Sequence, residues 1–167
     1  KGDIWIGGEK YLKLLNKEKL QVQDFSFLIE ESNHALSVLK DNNNIWIGTW
    51  GMGLIKYDLL TKKKDKFFSD EAGGTVMSMA FDKNKVLWVG TFSDGLFLID
   101  ESKGTTKRYL VENGLPSDNI IAVYVDSKNN VWLGTSGGGV CFVKNGDIDD
   151  KKNIKVFAFS DQSNTIP

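Results

Sequence analysis

Four tryptophans, Trp5, Trp46, Trp88 and Trp132, follow one another at intervals of 41, 42 and 44 residues, each inside the pattern apolar-Trp-apolar-Gly. The copies read Ile4-Trp5-Ile6-Gly7, Ile45-Trp46-Ile47-Gly48, Leu87-Trp88-Val89-Gly90 and Val131-Trp132-Leu133-Gly134. A period of this length marks one supersecondary unit used repeatedly, and it restricts the fold more than any local propensity. Alignment on tryptophan extends the match. Three copies continue with Thr49, Thr91 and Thr135, then with a second glycine at Gly53, Gly95 and Gly139, then with Leu54, Leu96 and Val140.

The segments around this framework read as short strands. An alternating run precedes each of the last three tryptophans, at 35–39, 76–81 and 120–125, and ends in a polar turn opened by Asp41, Asp82 or Asp126. Aspartate and asparagine suit such turns because their side chains bond the local backbone and tolerate left-handed dihedrals. A third run follows the glycines, at 54–57, 96–99 and 140–143, and a fourth ends on Phe25, Phe67, Tyr109 or Phe157. Four antiparallel strands per unit, here A to D, predict an all-β fold of β-propeller blades. The segment 10–20 competes with this reading, since Tyr11, Leu14 and Leu15 have helical spacing, but the repeat places a strand there. The expected units are 1–32, which lacks strand A, 33–72, 73–116 and 117–167, together one propeller segment. Residues Asn164 to Pro167 fall where a loop before another strand A is expected. Blades bury their faces against two neighbours, so about four of them suit part of a larger, seven-bladed ring better than a closed ring of four.

Composition narrows the partners. The formal net charge is −1 with acidic and basic residues interleaved, which supplies no electrostatic drive toward nucleic acid or an anionic membrane surface. The lysines at 62–64 read as a solvated turn, and the single cysteine, Cys141, reads as a small buried hydrophobe in Gly139-Val140-Cys141-Phe142-Val143. One histidine and one cysteine make no metal-ligand cluster, and nothing in the sequence calls for a cofactor. No serine sits in the strand-to-helix elbow of a nucleophile, so no catalytic residue is assigned.

The segment Asn113-Gly114-Leu115-Pro116-Ser117-Asp118-Asn119-Ile120, with Ala122-Val123, Asp126, Asn130-Val131-Trp132-Leu133-Gly134-Thr135 and Gly138-Gly139-Val140, closely resembles the two-component regulator propeller repeat. The units around Trp46 and Trp88 are similar to it through Gly48-Thr49, Gly53, Leu54, Tyr57 and Asp58, and through Gly90-Thr91, Gly95, Leu96 and Asp100. The first unit departs from the pattern, with Gly7-Gly8-Glu9-Lys10 in place of the Gly-Thr segment. The resemblance implies the periplasmic sensor region of a hybrid two-component histidine kinase of the Bacteroidetes type. It implies binding of a small molecule or oligosaccharide without catalysis in this segment. The remaining blades of the receptor would be further partners, and the membrane would be met only through the full-length protein. Two alternatives stay open: a scaffold for protein contacts or a receptor homodimer, and a propeller enzyme of the streptogramin-lyase type.

A ligand would meet the loops between strands B and C and those entering strand A, which emerge on one face of a four-stranded blade. The candidates there are Trp50, Met52, Phe92, Asp94 and Ser136 from the first loops, and His34, Asp118 and Asn119 from the second, with Asn33, Gly74 and Thr75 nearby. An indole beside carboxylate and amide groups suits a sugar, whose C–H face stacks on the ring while its hydroxyls meet Asp and Asn. Bland readings stand beside these: Trp50 as edge packing, His34 as a bystander, and Asp94 as part of an ordinary turn. The register tryptophans and Gly48, Gly53, Gly90, Gly95, Gly134 and Gly139 read as structural.

Overall fold

The computed structural model describes residues 3–30, 34–68 and 74–158; Asn33 and the expected loop at 164–167 lie outside them. Among the described residues every regular element is a β-strand or a short 3-10 turn. The first sheet has three strands, β1 (Ile4–Gly8), β2 (Tyr11–Asn16) and β3 (Gln21–Asp24). Three four-stranded sheets follow. They are β4 (Ala35–Asp41) to β7 (Lys64–Phe67), with β5 (Asn44–Thr49) and β6 (Leu54–Asp58); β8 (Val76–Phe81) to β11 (Thr105–Tyr109), with β9 (Leu87–Thr91) and β10 (Leu96–Asp100); and β12 (Ile120–Val125) to β15 (Ile154–Phe157), with β13 (Val131–Thr135) and β14 (Val140–Val143). Strand order follows chain order in each. The all-β blades expected from the repeat are therefore present, and β2 occupies the segment whose spacing also suited a helix.

The chain divides into two compact units, 1–79 and 80–167, with the division inside β8. In the first unit, Leu12 and Phe25 pack with Ile45, Ile47, Ile55 and Tyr57. The glycine two residues after tryptophan permits close approach here: a Cβ on Gly7 would stand 3.0 Å from the Ala35 carbonyl oxygen. Ile45 and Ile47 are fully buried, whereas their repeat counterparts Ile4 and Ile6 are 43% and 38% exposed.

In the second unit, Trp88 is fully buried among Ile120, Val123, Val131, Leu133 and Cys141. Burial pushes the Cys141 thiol up to about 11, so the residue serves as the apolar filler its neighbours predict. Side chains alternate along a strand, so Trp132 lies on the face opposite core residues Val131 and Leu133. It is half-buried there, with its ring 4.7 Å from that of Phe142.

The turns repeat as faithfully as the strands. After β8, Asp82 Oδ1 accepts the amides of Asn84 (2.8 Å) and Val86 (3.0 Å), and its Oδ2 accepts the Trp88 indole N–H at 3.4 Å. After β12, Asp126 Oδ1 accepts the amides of Lys128 (2.9 Å) and Asn130 (2.8 Å), and its Oδ2 accepts the Trp132 indole N–H at 3.2 Å. At the turns between strands C and D, Asn16, Asp58 and Asp100 each cap two backbone amides. The Lys103 ammonium, helped by the Ser102 hydroxyl, holds the Asp100 carboxyl down at about 2.

Two predictions follow from these turns. Gly95 has φ +79°, and a Cβ there would lie 2.2 Å from the Tyr109 carbonyl oxygen, whereas Gly104 has φ +63° with nothing within 4 Å. Gly104→Ala is expected to cost about 1 kcal/mol in urea unfolding, and Gly95→Ala about 3 kcal/mol or more, since displaced backbone adds to dihedral strain. A carboxyl whose pKa is lowered by folding stabilises the protein above its unfolded value and loses that contribution as pH falls through the folded one. Thermal melts from about pH 4 down to pH 2 should therefore show a shallower loss of stability in Asp100→Asn than in the parent.

Candidate functional site

The fixed threonine and second glycine hold each B-to-C loop in one shape. Thr49, Thr91 and Thr135 donate through both the amide, at 3.1 Å, and the hydroxyl, at 2.7 Å, to the carbonyl oxygen of Gly53, Gly95 and Gly139. The glycine amide is used as well: Gly53 donates to the Gly74 carbonyl and Gly95 to the Asp118 carbonyl, both at 2.8 Å. The loop is thus pinned at its base and tied to the segment that leads into the next strand A. The residue after the threonine is left at the tip. Trp50 and Phe92, which hold that position in successive units, are 58% and 47% exposed, and Ser136 is exposed too.

In the first unit, the Trp50 ring stands 6.4 Å from the His34 imidazole, and the Trp50 amide donates to the His34 carbonyl at 3.4 Å. The Gly51 amide donates to the Thr75 hydroxyl at 3.2 Å. Met52 and His34 are half-buried. These residues place one exposed indole and one imidazole side by side.

In the second unit, Asn119 links two loops: its Oδ1 accepts the Ser93 amide at 2.7 Å and its carbonyl accepts the Ser136 amide at 3.0 Å. Asp118 holds the approach to strand A, with its carboxylate accepting the Val111 amide at 2.8 Å. The Ser117 hydroxyl donates to the Ser136 carbonyl at 3.3 Å. Asp94 is paired with Arg108, whose Nη2 lies 3.1 Å from the carboxylate and whose Nε donates to the Asp94 carbonyl at 2.8 Å. The Arg108 guanidinium in turn sits 5.5 Å from the centre of the Phe97 ring. Phe92 and Ser136 therefore belong to loops joined through Asn119, while Asp94, Asp118 and Asn119 all make hydrogen bonds within the protein.

Several polar groups beyond the sequence candidates also matter. Arg108 is one. Asn129, buried between turns, accepts the Lys83 amide at 2.7 Å and donates to the Asn145 carbonyl at 3.0 Å. Away from the loop tips, Tyr109 donates to Asp149 at 2.5 Å and Lys107 pairs with the same carboxylate at 2.7 Å. Lys107 and Tyr109 together hold the Asp149 carboxyl below the usual carboxylate range, and burial raises the Tyr109 phenol. This network borders a groove formed by Asp82, Asp100, Lys103, Gly146 and Asp147. Separations of 40 residues or more hide such pairings from sequence spacing.

A family model described as two component regulator propeller matches residues 70–93 and 114–137. Both matches cover the run into strand A and its onward course, and the first reaches the loop tip carrying Phe92. These two segments match the two-component regulator propeller repeat. Over 145 residues it is 28% identical to histidine kinase P4 of Formosa agariphila, covering 80% of this chain and 10% of that relative's length. It also superposes on a protein of B. thetaiotaomicron described as the extracellular domain of a hybrid two component system, with a TM-score of 0.74 and 18% identity over 96% of this chain and 20% of that one. Streptogramin B lyase is similar in fold, with a TM-score of 0.73 at 11% identity over 96% of this chain and 52% of that one. The two solved structures establish the propeller architecture. Within these propeller repeats the Thr–Gly clamp and the exposed tip alternate regularly, so scaffold and variable positions are separable residue by residue.

Removing the Asn119 side chain tests that separation. Asn119→Ala should lower stability by about 1 kcal/mol, the usual worth of such a hydrogen bond, and speed amide hydrogen exchange at Ser93. Exchange at the Thr91 amide, held by the Gly95 carbonyl, should stay slow.

Proposed function

We propose that this chain is a ligand-sensing segment of the extracytoplasmic, periplasmic propeller of a hybrid two-component sensor histidine kinase, and that its ligand is a small molecule derived from glycans. In this reading 33–72, 73–116 and 117–167 are blades, 1–32 is a blade without strand A, and further blades complete a larger ring. The observation that carries it is the exposure of Trp50 and Phe92 at one repeat position, directly after the clamped threonine, while the register tryptophans Trp46 and Trp88 are buried. Large rings held open to solvent on a rigid loop base suit stacking against a sugar face. Ser136, at the same position in the next unit, offers a hydroxyl instead, and His34 beside Trp50 offers a ring nitrogen. The repeat family and the histidine-kinase relative support signalling through a kinase elsewhere in the receptor.

In this reading the segment acts by binding and not by turnover. The competing scaffold reading makes a different prediction for the same residue. Calorimetric titration of the complete propeller with an oligosaccharide library is expected to find a ligand whose affinity drops about tenfold or more in Trp50→Ala, with no change in oligomeric state. Absence of any oligosaccharide binding together with a dimer that Trp50→Ala dissociates would replace the sensor reading with the scaffold. Turnover of a cyclic ester or uronide would replace it with the lyase.

A further inference from the structure

We propose that Arg108 is an oxyanion-recognition residue for the loop that carries Phe92, and that the ligand sensed there is an acidic sugar whose carboxylate or sulfate group it receives. The inference rests on the ligand-sensing reading above and narrows its ligand class. Of the chain's 21 lysines and arginines, Arg108 alone is an arginine. It stands on β11 opposite Phe97 of β10. Its Nε donates to the Asp94 carbonyl at 2.8 Å, its Nη2 donates to the Asp94 carboxylate at 3.1 Å, and the guanidinium carbon lies 5.5 Å from the centre of the Phe97 ring. A guanidinium carries five N–H groups, and these two bonds use only two of them. Among the described residues the other three, two on Nη1 and one on Nη2, have no acceptor, and the side chain is 38% exposed. The free edge between Nη1 and Nη2 is a planar fork that matches two oxygens of a carboxylate or a sulfate. Asp94 and Phe97 hold that fork before anything binds, so little side-chain entropy remains to be lost.

The three residues depart from the repeat together. Asp94 holds the position of Met52 and Gly138, Phe97 that of Ile55 and Cys141, and Arg108 that of Lys66 and Val156. The two other four-stranded sheets form with methionine or glycine at the loop position, so the blade does not require a carboxylate there. An exposed ion pair also adds little stability. What the trio adds is a positive fork fastened to the loop of Phe92, a residue that is 47% exposed and stands two positions before Asp94. A ring and a fork on one clamped loop suit a sugar with an acidic group, the ring taking its C–H face and the fork its oxyanion. One guanidinium in a chain of net charge −1 suits a single oxyanion and not the many of a nucleic acid.

The test is calorimetric titration of the complete propeller with a panel of trisaccharides: galacturonate, glucuronate and mannuronate, their methyl esters, the matching neutral sugars, and those neutral sugars carrying a primary sulfate ester. At least one charged member is expected to bind about tenfold or more tightly than its ester or neutral counterpart. Arg108→Lys should remove that preference and leave neutral-sugar affinity within about twofold. Preference for a uronate identifies a carboxylate ligand, and preference for a sulfate ester identifies a sulfated one. Asp94→Asn separates recognition from bracing. It keeps the Nε bond to the carbonyl but removes the competing charge, so affinity for the charged member should rise about threefold or more. A pair that only braces the loop gives no such gain, and its absence would overturn the proposal, as would equal binding of charged and neutral members. Neutral sugars bound through Trp50, with Arg108→Lys silent, would end this inference and leave the sensing reading in place. If no sugar binds, nitrogen NMR decides: the Arg108 guanidinium signals, assigned by their loss in Arg108→Lys, are followed during titration with sodium sulfate against a sodium chloride control. Saturable shifts keep the oxyanion site and remove the sugar, and unmoved signals remove both.

Discussion

In the sheets of Trp88 and Trp132, the hydrogen bond from the indole to the aspartate six residues before it ties the tryptophan strand to the turn that precedes it. Burying an indole gains a large apolar contribution, but the ring brings a proton that must be accepted. Asp82 and Asp126 meet that demand with the same carboxylate that organises the turn between strands A and B, so one side chain fixes the hairpin and satisfies the core. The glycine two residues after the tryptophan complements this. A Cβ on Gly90 would come within 2.7 Å of Ile120, so the smallest residue sets how closely the following strand A approaches.

The fold was largely legible because these demands recur at fixed spacing. Tryptophan, two glycines and a threonine in register outweighed the helical spacing of Tyr11, Leu14 and Leu15, and β2 is a strand because its neighbours in the sheet decide it. The indole–carboxylate bond was not legible. An aspartate followed by asparagine or lysine announces a turn, and nothing in that pattern says where its second oxygen points. The unequal burial of the four tryptophans was also hidden, since Trp5 and Trp132 share the sequence context of Trp46 and Trp88 and differ in what packs around them.

The candidate site was legible by contrast with the framework. Positions that vary between fixed threonine and fixed glycine are those the hydrogen bonds leave free, and Trp50, Phe92 and Ser136 hold one of them. The roles of the polar neighbours needed coordinates. Asp94 answers to Arg108, Asp118 to the Val111 amide and Asn119 to the Ser93 amide, partners 7 to 26 residues away that no local motif couples. A loop tip supported in this way presents its ring from a base already ordered, which reduces the entropy lost when something binds.

The consecutive order of strands in every sheet has a kinetic corollary. Each sheet forms from hairpins between sequence neighbours, with no strand waiting for a distant partner, so closure entropy is small at each step. Such a chain can assemble hairpin by hairpin as it emerges during synthesis or export, each completed sheet offering the next an apolar template, and a late fault stays confined to the sheet where it arises.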